Sequence, residues 1–164
     1  MSAALKKGAL KDKAYAQMLE TTTQLNTPGP ELAEMPGVHA LTDITGFGLI
    51  GHLMEVCRGS GLKAEIRFVD VPVLSAALHL VQEGFATGAS DRNWSSCEGQ
   101  VTLPSDAPAW QRKLLTDPQT SGGLLVACAP GTAGRVLDVF SRQGFTRAKV
   151  IGELKSGTPG ITVR

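Results

Sequence analysis

One run constrains the chain more than any other: Leu41-Thr42-Asp43-Ile44-Thr45-Gly46-Phe47-Gly48-Leu49-Ile50-Gly51-His52-Leu53. The short apolar segment Val38-His39-Ala40-Leu41-Thr42 leads into it as a strand, and Leu49, Ile50, Leu53, Met54, Val56 and Cys57 follow on one helical face up to Gly59-Ser60-Gly61. Strand, glycine turn and helix are thereby set in order. Gly46 to Gly51 is a literal G-x-G-x-x-G, and Glu65 and Asp70 lie about twenty residues on, so by pattern alone it is a dinucleotide fingerprint.

Asp43 argues against that. It puts a carboxylate at the end of the strand, beside the place a pyrophosphate would occupy, and like charges repel strongly where solvent is excluded. A divalent cation between the two reverses the sign, and Mg²⁺ is commonly held by one or two carboxylates, phosphate oxygens and waters. Thr45 is then expected to cap the helix, with Gly46 and Gly48 letting phosphate approach free backbone N–H groups. The residues equally admit a plain alternative, in which Gly46, Gly48 and Gly51 serve a tight turn and close packing and Asp43 is a solvated cap.

Around this unit, Leu10, Ala14, Met18, Thr21 or Thr22, and Leu25 repeat at helical spacing, giving an amphipathic helix near residues 10–25 that Asn26-Thr27-Pro28-Gly29-Pro30 stops. Leu62, Ala64, Ile66 and Phe68 alternate with Lys63, Glu65 and Arg67 as a half-buried strand. A helix through Leu74, Ala77, Leu78 and Val81 ends at Gly84; residues 84–105 are weakly patterned and read as a long loop; a short helix carries Trp110, Leu114 and Leu115. Residues 123–129 form a buried strand, 132–143 a helix stopped by Gly144, and 149–154 and 161–164 two last strands with a hairpin-like connection at Ser156-Gly157-Thr158-Pro159-Gly160. Gly59, Gly61 and Gly84 read as further helix stops. Interleaved helices and strands, with a leading helix and a closing hairpin, predict an α+β sandwich on a mixed sheet.

Length and charge narrow the class. The chain's 164 residues suit one domain, 1–164, with 1–30 as a linker helix region and 31–164 as its body. Sixteen Lys and Arg against fifteen Asp and Glu remove the field expected of a nucleic-acid binder, and no apolar run is long enough to span a membrane. Met1 to Lys7 lacks the apolar core of a secretory signal, and Cys57, Cys97 and Cys128 form no C-x-x-C pair, so a reduced cytoplasmic protein is expected. Cys57 and Cys128 read as buried and Cys97 as the exposed thiol.

A second run, Leu115-Thr116-Asp117-Pro118-Gln119-Thr120-Ser121-Gly122-Gly123, enters the strand at Leu124 and supplies hydroxyls and backbone N–H groups suited to an oxyanion, or else is an ordinary loop. In a third patch, Ser90-Asp91-Arg92-Asn93-Trp94, Arg92 could grip a phosphate or simply pair with Asp91. His39, His52 and His79 lack metal-ligand spacing; His52 and His79 read as packing or helix-face residues, as do Trp94 and Trp110. The two glycine clusters, Gly46 with Gly48 and Gly122 with Gly123, are expected at one phosphate-facing edge.

Taken together, the Leu41–Leu53 run, Asp91-Arg92-Asn93-Trp94, the Leu115–Leu125 run and Val150-Ile151-Gly152-Glu153-Leu154 resemble selenophosphate synthetase of the bacterial type, across essentially the whole chain. The Asp-Pro-Gln-Thr-Ser-Gly-Gly run is the highly specific part of this resemblance. Thr-Asp-Ile-Thr-Gly-Phe-Gly is shared more loosely with aminoimidazole ribonucleotide synthetase and the hydrogenase maturation dehydratase. The resemblance implies the three-layer α/β/α C-terminal domain of that superfamily and an enzyme, selenide, water dikinase, that converts ATP, selenide and water into selenophosphate, AMP and orthophosphate. It implies Mg²⁺ bound by Asp43 at the ATP phosphates. It further implies phosphate or nucleotide contacts from Thr42, Thr45, Gly46, Gly48, Asp117, Thr120, Ser121, Gly122 and Gly123, and more remotely from Arg92 and Asn93.

The family's N-terminal domain, with its catalytic Cys or selenocysteine and Lys, has no counterpart in these residues. The expectation is therefore a C-terminal domain that carries no catalytic residue of its own and is inactive alone, with the N-terminal domain as partner in a homodimeric enzyme. The alternatives are a non-catalytic binding or assembly module, and half of a related ATP-dependent enzyme with another substrate.

Overall fold

The computed structural model describes residues 1–164. Helix α1 (Ser2–Lys6) and α2 (Asp12–Thr23) precede α3 (Pro28–Ala33), β1 (Val38–Asp43) and α4 (Gly48–Ser60). Strand β2 (Leu62–Ile66) leads to α5 (Ser75–Gln82), α6 (Gly88–Ser95), β3 (Val101–Thr102) and α7 (Ala109–Leu115). Strand β4 (Leu124–Cys128), α8 (Ala133–Arg142), β5 (Gly152–Ser156) and β6 (Gly160–Val163) close the chain.

The α+β class and the mixed sheet are as expected, but the strands divide into two sheets. β1 and β4 form an antiparallel pair, and a four-stranded sheet runs in the order β3-β6-β2-β5, with β6 parallel to β2 and β5 antiparallel to it. The dinucleotide pattern fails here on topology, because its strand and the strand that carries Glu65 lie in different sheets, whereas the fingerprint needs one parallel βαβ unit. Its acidic residues are also spoken for. Glu65 meets Lys155 at 2.9 Å and Arg164 at 3.1 Å on the outer face of the large sheet, and Asp70 meets Arg67 at 2.5 Å.

The last two strands do not pair with each other. They flank β2 on opposite sides, and the turn between them crosses the start of that strand, where a Cβ on Gly157 would come within 3.0 Å of the Lys63 side chain. A hairpin signal fixes only that the chain reverses; whether another strand slots between the arms depends on hydrogen-bonding partners remote in sequence.

Helix α4 organises the core. Ile50, Leu53, Met54 and Cys57 pack with Ala64 and Ile66 of β2, Val101 of β3 and Ile161 and Val163 of β6. A smaller cluster of Leu32, Val136, Val139 and Phe140 joins α3 and α8 to the β1–β4 pair through Val38, Leu41, Leu124 and Val126. Gly61 in the left-handed conformation (φ 70°) ends α4, and Gly84 and Gly144 (φ 87° and 88°) follow α5 and α8 in the same way, whereas Gly59 lies inside α4.

Residues 84–105 are not a long loop. They hold α6, a single 3-10 turn and β3. The polar sequence of α6 hid its helix, since only Ser90 is fully buried. Cys97, expected at the surface, lies in the main core at 4 % exposure, and burial raises its thiol pKa. Cys57 is buried as expected, while Cys128 is only partly covered. Trp94 packs against the main core and Trp110 against Phe68, at 5.9 Å between ring centroids.

Candidate functional site

The pairing of β1 with β4 creates the site. The register sets Asp43, the last residue of β1, opposite Leu124, the first of β4. Antiparallel pairing therefore brings the turn that follows Asp43 beside the loop that precedes Leu124, although some seventy residues separate them in sequence. Both glycine clusters thus lie at one end of the β1–β4 pair, Gly46 and Gly123 exposed there and Gly48 and Gly122 buried.

The two loops are knitted through backbone. The Ile44 N–H donates to the Gly123 carbonyl at 2.9 Å and the Gln119 N–H to the Thr45 carbonyl at 3.0 Å. Gly122 lies against the Ile44 carbonyl, so close that a Cβ would fall 2.0 Å from its oxygen. Gly48, at φ +68°, lies against the Thr116 backbone, and a Cβ on Gly51 would come within 2.4 Å of Phe47. By contrast Gly46 and Gly123 face open space. The glycines thus divide: Gly48, Gly51 and Gly122 permit close packing, and Gly46 and Gly123 leave backbone accessible.

Side chains clamp the arrangement from outside the two runs. The Asn93 amide on α6 donates to the Gly46 carbonyl at 2.8 Å and to the Thr116 carbonyl at 3.0 Å, and the Asn26 amide donates to the Gly122 carbonyl at 2.9 Å. Thr116 is itself fully buried, its hydroxyl donating to the Ser90 carbonyl at 3.0 Å. The donors of Asn93 are therefore spent on protein carbonyls. Arg92 is exposed and does not pair with Asp91, whose carboxylate faces Arg112 at 3.6 Å and Lys113 at 3.7 Å.

Thr45 does not cap α4. Phe47 occupies that position with no side-chain cap, and the Thr45 N–H instead donates to His52 Nε2 at 3.1 Å. Neither Asn26 nor His52 was among the expected site residues. Asn26 stood in a run read as a helix stop, and His52 on a helix face. The seven-residue spacing of Thr45, in the turn before α4, and His52 on it was the available signal.

Asp43, Gly46, Thr120, Ser121 and Gly123 are exposed at this edge, and Thr42, Thr45 and Asp117 are partly covered. Ser121 holds a left-handed backbone at φ 50°, strained for a non-glycine residue. Burial pushes the Asp117 carboxyl above its ordinary range; the positive charge of the Met1 ammonium and, less strongly, the Ser90 hydroxyl 3.4 Å away oppose that. No three His, Cys, Asp or Glu side chains come together as a metal cage. Asp43 alone offers a carboxylate at the rim, which suits an ion held mostly by phosphate oxygens and water and does not suit one enclosed by protein.

Residues 2–163 match the family of AIR synthase related proteins, C-terminal domain, and the chain belongs to that family. Within it, the chain is 56 % identical over 162 residues to a selenide, water dikinase of Dechloromonas aromatica, a match covering 99 % of this chain and 47 % of that protein. It is 53 % identical over 163 residues to the selenide, water dikinase of Paraburkholderia xenovorans, covering 99 % of the chain and 46 % of the relative. The chain thus spans about half the length of the curated relatives it matches. Among solved structures, the hydrogenase maturation protein HypE of E. coli superposes with a TM-score of 0.60 at 21 % identity, covering 87 % of this chain and 37 % of that one, which shows a common fold.

Proposed function

We propose that this chain is the C-terminal half of a selenide, water dikinase, an enzyme that makes selenophosphate, AMP and orthophosphate from ATP, selenide and water. Its part is to complete the Mg²⁺–ATP phosphate site. The observation that carries this is the convergence of the Asp43–Gly48 turn and the Asp117–Gly123 loop at one exposed edge, in a chain 50–56 % identical throughout to enzymes of that name.

Asp43 supplies a carboxylate to Mg²⁺, and the ion when bound neutralises phosphate charge in a reaction that depends chiefly on positioning and electrostatics. Gly46 and Gly123 present accessible backbone to phosphate oxygens, and the hydroxyls of Thr45, Thr120 and Ser121 add donors at the same rim. Thr42, Gly48, Asp117 and Gly122 shape the loops beneath them. Arg92 lies at the outer margin, where its guanidinium is free to meet an anion. The remainder of the enzyme, an N-terminal domain in a homodimeric cytoplasmic protein, brings the nucleophilic residues, so this half alone is inactive.

The test mixes the chain with a separately produced N-terminal half and follows selenophosphate by phosphorus NMR. Product from the mixture and none from the chain alone is the expected result; turnover by the chain alone, or no product from a mixture shown to associate, defeats the reading. In the complete enzyme Asp43→Ala should lower activity by at least a hundredfold, and an unchanged rate would remove Asp43 from the metal site.

A further inference from the structure

His52 sits on the second turn of α4 with 8 % of its surface exposed, and its ring lies 5.8 Å from that of Phe47. Its Nε2 is 3.1 Å from the Thr45 backbone nitrogen and 3.2 Å from the Thr45 hydroxyl. A backbone N–H can only donate, so Nε2 must offer its lone pair and the ring proton of the neutral imidazole must reside on Nδ1. Thr45 is also the junction of the two loops, because its carbonyl accepts the N–H groups of Gly48 (3.1 Å) and Gln119 (3.0 Å). A single side chain therefore holds the residue to which both phosphate-facing segments are tied, from a helix anchored in the main core.

We infer that His52 is a positioning residue for the phosphate site: it fixes Thr45 through an acceptor at Nε2, and through Thr45 it sets the placement of Asp43 and Gly46 against the Asp117–Gly123 loop. For its ligand, the inference rests on the proposed function; the tether itself does not. A packing role would need only the volume of the ring, whereas a positioning role needs an acceptor at that point. Glutamine places Oε1 close to where Nε2 stands, and leucine fills space without an acceptor.

The experiment has one readout independent of activity. In the isolated chain, nitrogen-15 NMR should find His52 protonated at Nδ1 and not at Nε2, and His52→Leu should speed exchange of the Thr45 amide roughly tenfold, with His52→Gln restoring most of the protection. A proton on Nε2, or equal exchange in wild type and His52→Leu, overturns the tether. In the complete enzyme His52→Leu should raise KM for Mg²⁺–ATP about tenfold while changing kcat less, and His52→Gln should recover it. Wild-type kinetics in His52→Leu, in an enzyme that Asp43→Ala disables, overturns the positioning role. If Asp43→Ala is itself harmless, the functional reading of the edge fails while the exchange result still decides the tether.

Discussion

Gly48 and Thr116 meet backbone to backbone: a Cβ on Gly48 would fall 2.7 Å from the Thr116 carbonyl carbon and 2.8 Å from its α-carbon. Neither partner can yield easily, because Thr116 is buried and Gly48 adopts φ +68°. Gly48→Ala combines a left-handed alanine with a backbone clash and should destabilise the chain by about 2–4 kcal/mol. Gly46→Ala, in open space two residues earlier, should cost less than about 0.5 kcal/mol. Urea unfolding of the two variants checks the contrast; similar losses would contradict the division of the glycine run into packing and accessible positions.

Asn93 reaches both runs from a helix that belongs to neither, giving its two amide protons to the carbonyls of Gly46 and Thr116. Asn93→Ala leaves those acceptors without their partner and should cost about 1–3 kcal/mol. Asn93→Asp should be worse at neutral pH, since a carboxylate then faces two carbonyl oxygens and has no proton to offer. Thermal unfolding of the two variants at pH 7 gives the order, and a more stable Asp variant would show that the amide donors do not hold the loops.

How much of this could be read in the sequence follows from which interactions are local. The strand, turn and helix around Gly46 are set by apolar periodicity and glycine over a dozen residues, and β1 and α4 lie where that periodicity puts them. The partition of strands into two sheets was hidden, because the pairing of Asp43 with Leu124 and the insertion of β2 between β5 and β6 are long-range choices. At the site, the exposed edge was foreseeable from Asp43 and the two glycine pairs. The clamps were not: Asn26 and Asn93 act on backbone atoms of residues far along the chain and His52 on the turn before its own helix, and a side-chain-to-backbone bond leaves little pattern in sequence. The misplacement of Cys97 has the same origin, since polar neighbours signalled a surface that β3 and α4 in fact cover.

Burial raises the Asp117 carboxyl pKa above its ordinary 3.8, so the folded chain holds this proton to a higher pH than the unfolded chain does. The folded state binds more protons in that interval, and stability must fall as pH rises from 3.8 through the raised folded value. Above it the partly buried charge is a constant burden; below 3.8 it vanishes. Asp117→Asn keeps an acceptor for the Ser90 hydroxyl and removes the charge, so it should be more stable than wild type at pH 7, with the gap closing below pH 3.8. Urea midpoints of both proteins across this range are the measurement, and a gap that widens toward acid would reverse the sign and refute the assignment to burial.

Helix α2 has no buried residue, and Tyr15 and Leu19 on it and Leu25 beyond it stand 42 %, 44 % and 77 % exposed. An isolated helix of twelve residues is marginal in water, and the hydroxyls of Thr21, Thr22 and Thr23 turn back onto the carbonyls of Gln17, Met18 and Leu19 without fastening α2 to the body. Its local opening should therefore cost far less than that of α4, whose Ile50, Met54 and Cys57 are 0–1 % exposed. Hydrogen exchange followed by mass spectrometry should find α2 amides exchanging at least a hundredfold faster than those of α4 in the isolated chain. Comparable protection would mean that α2 is fastened to the body as firmly as α4, and a gain of protection at Tyr15, Leu19 and their neighbours on adding the N-terminal half of the proposed enzyme would place this apolar face at the contact between the halves.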